Sequence, residues 1–409
     1  MIIKIVLLIS YILENIFDFI LVKLNDSYVK KPLPENVKDV YDEEKYNKWI
    51  NYRNDSKKLS AVEALVTASI SLIFFIFNLH AKVFYLFSSP TVLNYLYFIL
   101  FFSFVSALLS LPFSLYSNFV IEEKYGFNKS TFKTFFTDVI KEFVISVVLS
   151  LLLFFVVMLL FEKFHNLGIL FTCVVVLLFN LFVSLFSMTF LRIFNKFTPL
   201  EDGELRSSLK ELCEKYNVKI KEIYVMDASK RTTRANAFCT GFGKKTISLD
   251  DNLVNNYSND KIVAVFAHEF GHAKHKHVFK SLWFAFFRIA ILILSLGVIL
   301  NIPSICQAFG FKEVNYYFAF ISLTMISWPL SRVFDFVSNK ISRKFEFQAD
   351  AFAAKEGYGD SLIGALKQLS RDALTNLNPH PFVVALEYSH PTLSQRIDSI
   401  KKQETQNGE

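Results

Sequence analysis

Val265-Phe266-Ala267-His268-Glu269-Phe270-Gly271-His272 sets two imidazoles four positions apart, with a carboxylate directly after the first. On a helix, residues i and i+4 share a face, so His268 and His272 can each turn a ring nitrogen toward one ion while Glu269 reaches a water held by it. That is the spacing of a catalytic zinc site with its own general base. The bare His-Glu-x-x-His string also arises by chance, so its surroundings decide. Ile262, Val263, Val265 and Phe266 give it an apolar helical frame. A catalytic zinc takes three protein ligands and leaves one position for water, so a further ligand belongs on another segment. Arg343-Lys344-Phe345-Glu346-Phe347-Gln348-Ala349-Asp350 offers Glu346 as that ligand and, one turn on, Asp350 as the carboxylate that fixes a ligating histidine. Asn339, earlier on the same stretch, is assigned a supporting place beside Asp350. The metzincin pattern is excluded, because its later Gly and His positions are occupied by His275 and Val278. His275 and His277 therefore read as solvated or supporting residues and not as ligands.

The rest of the chain is a membrane protein. Of 409 residues, 53% are hydrophobic and 47 are Phe, which no soluble domain of this length needs. Apolar spans are expected at Ile2 to Val22, Leu59 to Leu79, Leu93 to Tyr116, Phe143 to Phe161, Gly168 to Phe190, Trp283 to Ile302 and Tyr316 to Val337, each near the length that crosses a hydrocarbon core. The first has no small-residue cleavage site and reads as a retained helix, not a signal peptide. Glu14, Asp18, Glu63, Arg332 and Asp335 interrupt the spans. Each costs on the order of 2.5 to 3.5 kcal/mol in lipid, so they are expected either to face a watered interior or to pair and snorkel. Cys173, Cys213, Cys239 and Cys306 have no metal-ligand or disulfide spacing. The net charge of +7 is spread over loops without an aromatic-interleaved patch, which argues against nucleic acid. Instead, lysine-rich loops alternate with lysine-poor ones. By the positive-inside rule, the N-terminus is outer or lumenal, and the catalytic part and C-terminus are cytosolic.

Four regions follow: residues 1–194 with five spans, an insert at 195–280 carrying the His-Glu-x-x-His helix, two spans at 281–337, and 338–409 with the third ligand. Within the insert, Ile223 to Met226, Ala235 to Phe238 and Thr246 to Leu249 read as strands of a small antiparallel sheet. Ala235, Asn236, Ala237 and Phe238 are the expected open edge, able to pair with an extended peptide beside the metal.

With these residues in view, the chain resembles the integral-membrane CAAX prenyl proteases of the Ste24 type, in the M48 peptidase family. The resemblance rests on the His268 to His272 run, on Ser338 to Asp350, on Phe119-Val120-Ile121-Glu122-Glu123-Lys124-Tyr125-Gly126-Phe127-Asn128-Lys129-Ser130-Thr131, and on Ser389-His390-Pro391-Thr392-Leu393-Ser394-Gln395-Arg396. It implies a mainly α membrane protein with seven helices around an intramembrane chamber, and a gluzincin-like domain with a small sheet at the cytosolic end. It also implies one Zn2+ per chain held by His268, His272 and Glu346, and Glu269 as base. His390 and Arg396 would hold substrate or the tetrahedral oxyanion, and Asn236 would lie on the substrate-pairing strand. Cys239 and Thr240 depart from the more aromatic family strand. The substrate implied is a C-terminally prenylated protein that loses its last three residues, in the endoplasmic reticulum of a eukaryote or the inner membrane of a bacterium. Two alternatives stand beside it: a quality-control protease with no lipid requirement, resembling HtpX, and a seven-span transporter or receptor whose motif is structural. The second leaves Glu269 without a reason. The oligomeric state is open.

Overall fold

The computed structural model describes residues 1–87, 91–240 and 245–408. In chain order the helices are α1 (Ile2–Tyr28), α2 (Glu43–Ile76), α3 (Leu79–Leu86), α4 (Thr91–Tyr116), α5 (Phe132–Phe164), α6 (Gly168–Leu185), α7 (Ser187–Phe194), α8 (Glu204–Lys215), α9 (Asp251–Asn256), α10 (Asn259–Lys274), α11 (His277–Leu300), α12 (Pro303–Gln307), α13 (Tyr316–Lys355), α14 (Gly359–Asp372), α15 (Pro381–Glu387) and α16 (Leu393–Gly408). Seven of them, α1, α2, α4, α5, α6, α11 and α13, carry stretches long and apolar enough to cross a membrane. Side-chain caps start the long ones: Asp42 accepts from the Lys45 amide, Thr131 from Thr134 and Asn315 from Phe318.

These spans touch in a closed circuit, α1 to α2, α2 to α4, α4 to α5, α5 to α6, α6 to α11, α11 to α13 and α13 back to α1. A circuit is what spans around an interior produce; a solid bundle would pack across its middle. On α5, Val144, Val148, Leu152, Phe155 and Leu159 form an exposed stripe at helical spacing, suited to lipid. The charged interruptions mostly pair. Arg332 of α13 donates to Asp18 of α1, and Arg288 of α11 donates to Asp335 of α13 at 2.7 Å. Glu63 instead lines a cavity of about 370 Å³ between α2, α3 and α4, with Thr67, Ser71 and His80.

Several spans differ in extent from the sequence reading: α1 runs on to Tyr28, α5 begins at Phe132 and α11 at His277, and three further differences change the architecture. The apolar run at Leu59 is only the second half of α2, whose polar first half begins at Glu43 and buries Trp49. The expected span to Phe190 breaks at Phe186 into α6 and α7. The last span does not stop at Val337: α13 runs unbroken for 40 residues, through Pro329, to Lys355.

The sheet has strands β1 (Phe197–Pro199), β2 (Ile220–Met226), β3 (Ala237–Thr240) and β4 (Lys245–Asp250) in the order β1-β2-β4-β3. It is mixed and not purely antiparallel as expected, because β2 and β4 run parallel. β3 lies between them in sequence and folds back on the far side of β4, which leaves β2 beside a strand of its own direction. Ile223, Ile247 and Leu249 pack with Leu209, Ile262, Phe266 and Phe270, and the same core reaches Leu362 on α14 and Ile397 on α16. Each such side chain stabilises by about 1.5–3 kcal/mol when fully buried, enough to fix α10 against the sheet and α13.

Candidate active site

α10 brings His268, Glu269 and His272 into the protein. It crosses α13 at very short range. A Cβ added to Gly271 would lie 3.0 Å from the Ala349 Cα and 3.2 Å from its carbonyl oxygen, so only glycine permits this approach. The crossing sets Glu346, three residues before Ala349, against both histidines. His272 Nε2 lies 3.1 Å from Glu346 Oε1, His268 Nε2 lies 3.5 Å from Oε2, and the two Nε2 atoms are 3.2 Å apart. Among the described residues these three form a cluster whose ligand atoms all fall within 4.8 Å of one another.

Whether the cluster suits an ion is decided by what else its atoms touch. Both Nδ1 atoms are already taken, His268 by Asp350 Oδ1 at 2.9 Å and His272 by His277 Nδ1 at 3.0 Å. The Nε2 atoms are thereby left for a shared centre. Glu346 Oε2 is buried with no hydrogen-bond partner. Two imidazole nitrogens and a buried carboxylate oxygen without a partner are a donor set for a tetrahedral divalent cation, zinc above all.

Asp350, fully buried, is gripped by Arg396: Nη2 to Oδ1 at 2.6 Å and Nε to Oδ2 at 2.9 Å. Arg396 is itself 9% exposed and stands 3.7 Å from Glu346. Its contacts are with the ligand set and its supports, although it also lines the smaller cavity described below. Burial opposes a proton on His268, and Arg396 adds to that. The Asp350 and Glu346 carboxylates beside it overrule both and push its pKa up to about 9. Asn339 is placed elsewhere, donating to the Leu386 carbonyl at 2.7 Å and so tying α15 to α13, not supporting a ligand.

Glu269, Glu346 and His390 line two cavities at once. The larger, about 630 Å³, is also walled by Cys239, Lys245, Ser342, Phe345, Leu282 and Ala285. The smaller, about 120 Å³, is walled by Ala235, Asn236, Ala237 and the apolar group Leu253, Val265, Leu362, Leu366 and Leu369. A peptide bond at their junction would meet the Glu269 carboxylate and His390 together. His390 is exposed, with Nε2 3.5 Å from Glu346 Oε1 and Nδ1 3.0 Å from the Ser389 hydroxyl. β3 is the sheet's edge. Ala235 and Asn236 precede it, and the Asn236 carbonyl accepts from the Asp250 amide at 3.0 Å. Strand alternation carries Phe238 away from the face of Ala237 and Cys239, and it lines neither cavity.

The Phe119 to Thr131 stretch explains how that edge is held. Glu122 accepts from Tyr52 at 2.6 Å and pairs with Arg234 at 2.9 Å, Arg234 lies over the Phe127 ring at 4.3 Å, and Asn128 bridges to Thr232. Asn252 adds bonds to the Thr232 and Arg234 carbonyls. The connection between α4 and α5 thus positions the segment leading into Ala235 and Asn236. Sequence reasoning left one participant in the site, Gln348, without a role, and gave His277 a supporting one without saying what it supports. The signal was present in the crowding of histidines after His272, but the turn that brings His277 back to the site has no motif.

The chain matches two family descriptions that together cover nearly all of it: CAAX prenyl protease N-terminal, five membrane helices, over residues 25–196, and peptidase family M48 over residues 199–404. It is 32% identical over 403 residues to CAAX prenyl protease 1 of Saccharomyces cerevisiae, covering 90% of this chain and 88% of that protein. The CAAX prenyl protease 1 homolog of Arabidopsis thaliana is 37% identical over 306 residues, covering 72% and 70%. The crystal structure of Ste24p from S. mikatae superposes with a TM-score of 0.91 at 30% identity, covering 97% of this chain and 99% of that one. Fold, closed circuit of spans and metal-ready cluster agree with these likenesses, and the chain belongs to peptidase family M48 as a membrane metalloprotease.

Proposed function

We propose that the protein holds one Zn2+ through His268, His272 and Glu346, and that it removes the C-terminal three residues of prenylated proteins whose sequence ends in the CAAX pattern. The observation that carries this reading is the junction of a large cavity and a small apolar one at Glu269, Glu346 and His390. Bound zinc would polarise the scissile carbonyl and lower the pKa of a water toward neutrality. Glu269 takes that water's proton and returns it to the leaving amine. His390 donates toward the developing oxyanion. Asp350 holds the His268 ring with Nε2 toward the cluster, and Arg396 holds Asp350. The edge of β3 with Ala235 and Asn236 keeps the peptide extended, as in strand addition. The peptidase unit is assembled from 195–280 and 338–409, with two spans between. The catalytic part is cytosolic and the N-terminus lumenal or outer, in the endoplasmic reticulum of a eukaryotic host or the inner membrane of a bacterial one.

Purified protein given matched peptides, farnesylated and bare, tests this by mass spectrometry of the products. Release of the terminal tripeptide, faster from the farnesylated peptide and lost in Glu269→Gln, is expected. Equal rates, or cleavage only at unrelated internal bonds, would instead favour a quality-control protease that has no lipid requirement.

A further inference from the structure

His272 has no carboxylate behind it. Where His268 is backed by Asp350, His272 Nδ1 meets His277 Nδ1 at 3.0 Å, and His277 Nε2 meets Gln348 Oε1 at 2.9 Å. His277 is 3% exposed, and its ring stacks on Phe345 with centroids 4.1 Å apart and planes 8° from parallel. Both its position and its tilt are thereby fixed. On an unbroken helix a residue five positions after His272 would sit about 140° round from it. Here α10 ends at Lys274, Lys276 takes a left-handed φ of 55°, and α11 begins at His277, which returns the ring to the metal side.

Proton accounting gives this chain a direction. An amide oxygen only accepts, so His277 Nε2 carries the hydrogen in its bond to Gln348. A neutral imidazole has one N–H, so His277 Nδ1 is bare and accepts from His272 Nδ1–H. In a His272 ring with one N–H, Nε2 is then the bare nitrogen, and it is the one that converges with His268 Nε2 at 3.2 Å and Glu346 Oε1 at 3.1 Å. With a donor in place of the Gln348 oxygen every proton moves over: His277 Nδ1–H donates to His272 Nδ1, and His272 Nε2 carries a hydrogen and cannot ligate. We propose that Gln348 and His277 form a hydrogen-bond relay whose direction holds His272 in its metal-ligating tautomer, both acting as positioning residues. The proposal rests on reading His268, His272 and Glu346 as the metal site.

The test uses full-length protein in detergent, stripped of metal and titrated with Zn2+ against a chromophoric chelator, with ring-nitrogen 15N spectra of the zinc-free form. Gln348→Glu, which only accepts, is expected to bind zinc at least as tightly as the wild type. Gln348→Lys, which only donates, is expected to weaken binding by about 10–100-fold, the range typical of such outer contacts. Because these variants also differ in charge, the spectra decide: the His272 proton sits on Nδ1 in the wild type and Gln348→Glu, and on Nε2 in Gln348→Lys. An unchanged tautomer in Gln348→Lys overturns the relay. If that variant fails to fold, His277→Phe preserves the stack on Phe345 and removes both nitrogens; wild-type zinc affinity there overturns the relay equally. Wild-type protein that takes up no zinc would strike the metal site itself, a different failure from zinc uptake indifferent to Gln348 and His277.

Discussion

At the scale of single residues, the two histidines proposed as ligands are supported by unlike partners, an anionic carboxylate for His268 and a neutral ring for His272. The difference shows in their protons. With its pKa pushed up to about 9, His268 carries a proton in the zinc-free protein at neutral pH, and an ion must displace it. Metal-free protein therefore binds more protons than loaded protein below that value, so zinc affinity must rise as pH rises. The expected outcome is a dissociation constant for zinc that falls by up to about tenfold per pH unit between about pH 7 and 9, measured by chelator competition. A constant that stays flat over that window removes the proton from His268. The two histidines of the cluster were legible in the sequence because i and i+4 spacing is a local property. Asn339 was misplaced because a position on the right helix does not say which way its amide reaches, and here it reaches α15.

At the scale of elements, the site depends on how closely α10 and α13 cross. Gly271→Ala would gain about 1 kcal/mol of helix propensity, but its Cβ would press on the Ala349 backbone, which has no rotamer to yield. Overpacking of that kind costs about 1–3 kcal/mol, so the contact outweighs the propensity. We expect a lower melting temperature and weaker zinc binding in Gly271→Ala, read by thermal unfolding with and without zinc; an unchanged melting temperature would show that the helices can part freely. The sheet was only partly legible. Alternation marked β2, β3 and β4 but is blind to strand direction, and three residues at Phe197 are too few to show a period. The 40 residues of α13 read as a span and a separate helix because the apolar signal fades near Arg332 and Asp335, while the backbone continues and pairs both charges sideways.

At the scale of the whole molecule, the spans were legible from length and hydropathy alone, whereas their circuit follows from contacts far apart in sequence, such as α1 with α13. Orientation is open to direct measurement. A single cysteine at Lys45 or Lys219 is expected to react with a membrane-impermeant reagent only from the cytosolic side, and one at Lys312 only from the opposite side. Labelling of all three from one side would overturn the arrangement. The order of the chain has a last consequence, one for biogenesis. His268 and His272 are synthesised before α11, and Glu346 only near the end of α13, so two membrane passes separate the first ligands from the last. No ion can be fully coordinated while the ribosome is still working through that hairpin. On the proposed ligand set, metal uptake would be a late event that reports on completed insertion, and a chain that misthreads α11 or α13 would leave the translocon with its histidines and Glu346 on opposite sides of the bilayer, unable to hold metal however well each half had folded.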